Sequence, residues 1–445
     1  MTFSQKDMRF RLQQDLVACN FRIWYSIGNK PEPFSQICGK YGKIHQKKGT
    51  FMKYKTRFAF FFAAMILFHL AANFAHPVTP TIIQDLMLPD YMFGLMLAAM
   101  QLSNFLFSPF WGKMNAATSS RQTLLICCLG YGMAQLGFAC AATQGLILLV
   151  RVLAGFFVGG IFVSFLTYVV GTAKPEDQAK YLTYSATIQA VFGAFGYLVG
   201  GVLGEFSIRG TFFFQAFCLG LAGILFRLVC LPDGQTERIS LKETLRRSNP
   251  LQAFMDGKYF LNMAFILLFA VNILMNFANT GFDQVFNYYL KDQLGLTSAY
   301  NGVIKAAVGL ISFAFNMTVC LWIIRKTDTK LSMTILMGLC TLAAVGTVLV
   351  PKIGLFIVLS VFVYAGYSVS LPVLQNMVAL QADPAQKNLV MGFYNAAKSL
   401  GSIIGSLMAG FLYAVHIKLP FAVVAAAYGL SMLAAAGYFL LHRKK

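Results

Sequence analysis

Residues 259–290 read YFLNMAFILLFAVNILMNFANTGFDQVFNYYL. The run is long enough to cross a bilayer as a helix, which takes about 20 mostly apolar residues. Within it, Asn272, Asn276, Asn279 and Asp283 recur at spacings of four, three and four, which is one face of a helix. Asp283 is the only acid inside any hydrophobic span of the chain. A carboxylate in hydrocarbon is costly, so an intramembrane acid marks a functional site by default. A helix carrying this stripe faces other helices or water rather than lipid.

The rest of the chain repeats the apolar pattern. Of 445 residues, 58% are hydrophobic and only 12% charged, with mean hydropathy +0.65. So few charges do not cover a soluble surface; lipid must be the solvent. Twelve spans are predicted, at roughly 58–84, 91–112, 122–143, 145–171, 181–204, 211–231, 259–290, 299–324, 331–350, 353–380, 388–414 and 420–441. Their length and the absence of period-two alternation exclude a β-barrel. The predicted fold class is an all-α membrane protein.

The 36 Lys and Arg against 16 Asp and Glu leave a net charge of +20. Sorted by loop, 29 bases fall on one side, and Arg209, Lys291, Lys352 and Lys418 on the other. By the positive-inside rule both termini are cytoplasmic and the chain is a multi-pass protein of the cell membrane. The excess base is thus a topology signal; no basic cluster carries a nucleic-acid motif, and no nucleic-acid partner is expected. The nine cysteines lack metal spacing, as in Cys127, Cys128 and Cys218. They read as small packing residues, with neither disulfide, metal nor cofactor expected.

Residues 1–57 carry 12 Lys and Arg among aromatics such as Trp24 and Tyr25. They lack the apolar core of a signal peptide. They read either as a basic cytoplasmic extension lying on anionic lipid or as sequence upstream of a natural start at Met52, the latter preferred because Met52–Arg57 is an ordinary basic lead into a span. The polar stretch 232–258 divides the spans six and six. It reads as an amphipathic cytoplasmic linker interrupted at Asn249-Pro250. The expected organisation is therefore a bundle over 58–231, the linker, a second bundle over 259–441, and a tail at 442–445.

The two halves are related. A shift of 208 carries Leu86, Leu88, Gly94, Ala98 and Ala99 onto Leu294, Leu296, Gly302, Ala306 and Ala307. A shift of 209 carries Ala173, Pro175, Gly196, Leu198 and Gly201 onto Ala382, Pro384, Gly405, Leu407 and Gly410. Two regions with nearly one offset point to a duplicated six-span unit.

Polar rows at helical spacing segregate to certain spans. Span 1 has His69, Asn73 and His76; span 2 has Gln101, Asn104 and Ser108; span 5 has Tyr181, Ser185 and Gln189. Span 8 has Asn301, Lys305, Ser312 and Asn316; span 10 has Tyr364, Ser368 and Gln375; span 11 has Asn395, Lys398 and Ser402. Spans 3, 6, 9 and 12 are poor in such rows. A single membrane Asn or Ser is commonly interhelical glue. Rows excluded from every third span suggest two bundles around a central cavity, with spans 3, 6, 9 and 12 as outer supports.

With these features the chain resembles the major facilitator superfamily of secondary transporters over nearly everything from residue 58 onward. Arg151-Val-Leu-Ala-Gly155-Phe-Phe-Val-Gly159-Gly160 is similar to the family's Arg-x-x-x-Gly-x-x-x-Gly element. Glycines four apart let helices approach closely, and the Arg must find a polar partner. Gly196-Tyr197-Leu198-Val199-Gly200-Gly201 resembles the antiporter signature Gly-Pro-x-x-Gly-Gly, with Tyr197 in place of proline. Gly112-Lys113-Met114-Asn115 to Arg121 resembles a degraded form of the loop after span 2, where Asn115 and Ala117 do not supply the expected Asp and Arg of a cytoplasmic latch. The resemblance implies two pseudo-symmetric six-helix bundles, no enzyme activity, and movement of a small-molecule substrate with protons by alternating access. It places the chain nearest the drug:proton antiporter branch, in which the Arg at position 151 would assist proton coupling.

Helix rise, about 1.5 Å per residue, sets the depth of the polar groups. Asp283 lies eleven residues before the turn near Leu294, and Lys305 eleven after it. The two are expected at one depth and able to pair. Paired, Asp283 stays ionised; separated, the lone buried acid takes a proton. The competing reading is a permanent bridge between spans 7 and 8. Lys398 and His69 lie near the midplane, and His76-Pro77 marks a break in span 1. The expected coupling residues are Asp283, Lys305 and Arg151. The expected substrate-binding residues are His69, Asn73, His76, Gln101, Asn104, Gln189, Asn276, Asn279, Tyr364, Asn395 and Lys398. Three intramembrane bases against one acid favour an anion, a polar amphiphile or a chelate-like compound. Export of a small organic molecule by a monomer is the first reading and proton-driven uptake of an organic anion the alternative. An ATP-driven pump is excluded by the lack of a Gly-x4-Gly-Lys-Ser/Thr loop.

Overall fold

The structure is a computed structural model, which describes residues 54–233, 249–383 and 387–443. The expected extension before residue 54, a start at Met52, the centre of the linker and the last tail residues lie outside the described residues. Among those described, twelve helices are long and apolar enough to cross a membrane. We label them in chain order: α1 Tyr54–Ala72, α2 Met92–Ala117, α3 Ser120–Cys140, α4 Gln144–Thr172, α5 Pro175–Phe206, α6 Ile208–Val229, α7 Met263–Asp292, α8 Ser298–Lys326, α9 Thr329–Leu349, α10 Ile353–Gln381, α11 Lys387–Val415 and α12 Leu419–Arg443. Large apolar side chains such as Leu153, Leu342 and Leu433 are exposed, as expected where lipid replaces water.

Three local features depart from or refine the expected spans. Span 1 is two pieces: α1 ends at Ala72, and a short helix at Thr79–Asp85 follows a turn that contains His76 and Pro77. The segment after span 2 is not a loop at Gly112–Asn115, because α2 continues to Ala117. Asn115 is buried there and its Oδ1 accepts from Ser164 Oγ of α4 at 3.0 Å, so it ties two helices together rather than forming a latch. Within α8, Asn316–Cys320 is a π-turn. Such a bulge adds a residue to the turn and re-aims the side chains beyond it.

Helices approach where side chains vanish. A Cβ on Gly155 would meet the Met100 carbonyl oxygen of α2, and one on Gly159 would lie 2.9 Å from Asn104 Oδ1. The pseudo-symmetry is most explicit at two crossings between the halves. Gly201 of α5 packs on Ser298 and Gly302 of α8, while Gly410 of α11 packs on Tyr91 and Gly94 of α2. These are the same crossing in the two repeats, since Gly94 matches Gly302 and Gly201 matches Gly410.

Around these crossings, hydrogen bonds seal one end of the molecule. Ser406 Oγ donates to the Gly94 carbonyl at 2.9 Å, the Ala299 amide to Glu205 Oε1 at 2.9 Å, and Tyr288 Oη to Asp90 Oδ1 at 2.6 Å. The Asn287 amide donates to the His76 carbonyl at 3.0 Å. Away from this end, α5 exposes Ala186, Gln189 and Ala190, while Gly196 and Gly200 nearer the seal are buried. The halves thus meet at one end and part towards the other.

Two of the expected outer supports pack within their own halves. α3 packs on α4 and α6, and α9 on α12 and α10. One residue breaks the pattern: Tyr131 of α3 reaches an interior cavity.

Candidate functional site

Between the halves lies a cavity of about 650 Å³. Its walls come from α5, α7, α8, α10 and α11, including Gln189, Tyr197, Asn279, Asp283, Lys305, Asn316, Tyr364, Tyr367 and Lys398. A second cavity of about 360 Å³ lies on the α1 side and is lined by His69, Asn73, His76 and Tyr131. Gln189, Ala190 and Ala194 line both, so the two are neighbouring chambers with one shared wall.

The chemistry of the larger chamber centres on three residues from three helices. Lys305 Nζ donates to Asp283 Oδ1 and, at 2.6 Å, to Tyr364 Oη. Tyr364 Oη in turn donates to Asp283 Oδ1 at 3.0 Å. The triangle closes because a phenol both accepts and donates, whereas an ammonium only donates and a carboxylate only accepts. The Lys305 side chain is 5% exposed and that of Asp283 28%. The acid therefore keeps a face towards the cavity while the base is enclosed. The rings of Tyr364, Phe286 and Tyr197 surround the ammonium, with centroids 4.7, 5.1 and 5.8 Å away, where their negative faces attract a cation.

The expected row on α7 divides. Asn279 lines the cavity, and its Oδ1 is buried with no hydrogen-bond partner among the described residues. Asn272 and Asn276 are fully buried and satisfied: Asn276 donates to Asn272, Asn272 donates to the Tyr394 carbonyl, and Tyr367 Oη donates to Asn276 Oδ1 at 2.8 Å. Asn276 is thus a support that aims Tyr367 rather than a wall residue. Helical spacing predicts a common face but not how far that face is turned into a neighbour.

Other expected residues also separate. Gln189, Tyr364 and Lys398 line the large chamber; His69, Asn73 and His76 line the smaller one. Asn104 packs on Gly159 of α4 and accepts from Ser108 of its own helix, so its side chain is engaged at the α2–α4 contact. Gln101 and Asn395 line neither chamber. Arg151 is absent from both as well; it faces a small pocket at the sealed end. The charged groups of the large chamber are therefore Asp283, Lys305 and Lys398, a smaller surplus of base than three against one. Lys398 has no ion-pair partner among the described residues.

Two aromatic wall residues of the large chamber were missed. Tyr367 sits one turn beyond Tyr364 on the same face of α10, a spacing that was available to be read. Tyr197 occupies the position where the antiporter signature has proline. Its ring stacks on His76 at 5.2 Å and faces Lys305, so the departure from the motif supplies a cavity wall.

Twelve helices in two related halves, parted around a polar chamber and sealed at one end, define a secondary transporter. The chain belongs to the Major Facilitator Superfamily, whose family model matches residues 61–364 and 345–445. Similar proteins include Multidrug resistance protein 2 of Bacillus subtilis, 24% identical over 82% of this chain and 91% of the relative. Quinolone resistance protein NorA of Staphylococcus aureus is 24% identical over 82% of this chain and 92% of the relative. In fold, the chain matches a bacterial homologue of the human lysosomal transporter Spinster in an inward-facing, unoccupied conformation, with TM-score 0.69 at 14% identity, covering 89% of this chain and 98% of that one. It also matches a D-xylose–proton symporter, with TM-score 0.67 at 14% identity, covering 87% and 97%. The protein is a multi-pass membrane transporter and not an enzyme.

Proposed function

We propose that the chain exports small organic molecules in exchange for protons, with the Asp283–Lys305–Tyr364 triangle as the coupling element. The observation that carries this reading is the triangle itself: a lone intramembrane acid, held by a base and a phenol, with one face open to a chamber large enough for a drug-sized solute. The positive-inside distribution makes the open end cytoplasmic, so the described arrangement receives substrate from inside with Asp283 ionised. A substrate carboxylate pairs with Lys398, and Asn279 and Gln189 meet its polar groups. When the halves rock to face outward, a proton from outside binds the Asp283 carboxylate. The triangle then loosens and the substrate leaves. On return the proton passes to the cytoplasm and the Lys305 pairing re-forms. Each cycle thus takes one proton in for each molecule out.

The relatives named for multidrug and quinolone resistance support export over uptake. The surplus base in the chamber favours anionic or zwitterionic compounds, for which an aromatic carboxylate such as a quinolone is the natural probe. Residues 232–258 serve as the linker between bundles 58–231 and 259–441, and the monomer is the transporting unit. The experiment is flux in proteoliposomes with an imposed pH gradient. Proton-driven movement of norfloxacin against its gradient, towards the acidic side, is expected. Movement with the proton would replace export by uptake, and flux indifferent to the gradient would remove the coupling role of the triangle.

A further inference from the structure

The small pocket at the sealed end holds an unmet charge. It has a volume of about 30 Å³ and is walled by both halves: His76, Thr79 and Arg151 from the first, Gln284, Asn287 and Tyr288 from the second. Arg151 is 7% exposed. Its guanidinium lies 3.9 Å from the centroid of Phe138, its Nε has no hydrogen-bond partner, and no carboxylate pairs with it among the described residues. An arginine cannot shed its charge, and a ring face offsets only part of the cost of burying one.

The acids nearby are already engaged. Asp283 is held by Lys305 and Tyr364 on the other chamber, and Asp90 accepts from Tyr288. Several of the pocket's donors are committed too: Thr79 to the Ala75 carbonyl, Asn287 to the His76 carbonyl, Tyr288 to Asp90. Gln284 has no hydrogen bond among the described residues, and His76 lines the pocket while its ring stacks on Tyr197. Arginine, an amide and an imidazole from opposite halves therefore converge, without a counter-charge, on a space for one or two water-sized particles.

We infer that this pocket binds a monatomic anion, chloride or bromide, with Arg151 as its principal ligand, and that the bound ion locks the two halves at the sealed end. A space of about 30 Å³ favours a monatomic ion over phosphate or an organic acid. The walls belong to both halves, so the site is complete only while that end is closed and opens when the halves part. Halide thus stabilises the described arrangement independently of the transported solute and of proton coupling.

The test uses the full-length protein in detergent. Its melting temperature is measured in sodium chloride, sodium bromide and sodium gluconate at constant ionic strength. A saturable rise with chloride and bromide, absent with gluconate, is expected. It should vanish in Arg151→Gln and weaken in Gln284→Leu, a milder variant that keeps the charge should Arg151→Gln fail to fold. Anomalous diffraction from bromide-soaked crystals should place the ion within reach of Arg151. An equal response to gluconate, no response to any of the three salts, or a halide response unchanged in Gln284→Leu with no bromide in the pocket overturns the proposal. Because no substrate is present, these outcomes are separate from any failure of drug export.

Discussion

Gln189 on α5 and Lys398 on α11 stand 209 residues apart, the offset that carries the span 5 glycines onto those of span 11. Both line the same chamber. One is neutral and the other charged. The same contrast runs through the molecule: the first half offers His69, Asn73 and Tyr131 to its chamber, the second offers Asp283, Lys305 and Lys398. At the seal the halves behave alike, with Gly201 on Gly302 mirrored by Gly410 on Gly94. Duplication thus preserved the backbone crossings on which closure depends, where any side chain would collide. Wall positions carry no such steric constraint, and there the second half acquired the carboxylate and the two ammonium groups. Shape is symmetric and chemistry is not.

The largest expected effect tests that asymmetry directly. Asp283→Asn should lower proton-driven flux by on the order of 100-fold or more, a loss on the scale of removing a group that must carry the proton, while leaving a folded protein by circular dichroism and gel filtration. Normal transport by this variant would make Asp283 structural and remove the functional difference between the halves. Lys305→Met probes the other side of the pair. Breaking a buried pair costs about 3–5 kcal/mol when both partners are enclosed. The partial exposure of Asp283 reduces this to roughly 2 kcal/mol, and adding Asp283→Asn should restore much of it. A thermal-stability cycle over the single and double variants measures the coupling.

The seal tests the symmetry. Gly94→Val and Gly302→Val should each disfavour closure, because a Cβ at Gly94 would collide with the Ser406 carbonyl and lie 2.7 Å from the Gly410 amide nitrogen, and one at Gly302 would meet the Tyr197 carbonyl. Both should cut flux about tenfold, the effect of roughly 1.4 kcal/mol on the population of the sealed state. Closely similar losses sharpen the comparison, whereas a loss in only one half breaks it.

The smallest effect concerns one turn. Met87 has φ 48° and Gly295, its mate at offset 208, has φ 60°. Left-handed backbone costs a side-chain-bearing residue about 1–2 kcal/mol, and glycine's extra entropy returns part of that on substitution. Since Met87 is 91% exposed, its side chain contributes little packing. Met87→Gly should raise stability by roughly 0.5 kcal/mol, read as a small increase in melting temperature, and Gly295→Met should lower it.

Much of this was legible before any fold was drawn. Hydrocarbon thickness sets the length of a span, so twelve spans followed from apolar runs alone. The fixed rise of a helix placed Asp283 and Lys305 at one depth, because each lies eleven residues from the same turn. The duplicated glycines announced the repeat. What failed was rotation: Asn276 and Asn279 share a stripe, yet one is satisfied inside the bundle and the other faces the chamber. Asn104, likewise, is turned onto Gly159 of α4.

The amino-acid sequence by itself thus determined the solvent, the number of crossings, the duplication and the single acid. Each rests on a one-dimensional quantity: run length, spacing or charge. Only the tertiary structure decided that Tyr364 closes the triangle, that Tyr197 forms a wall where a proline was expected, and that Arg151 faces a separate pocket away from the chamber. These depend on how each helix is turned about its axis and which neighbour it meets. Lipid offers apolar side chains no preference for one face over another, so that rotation is set by packing between helices.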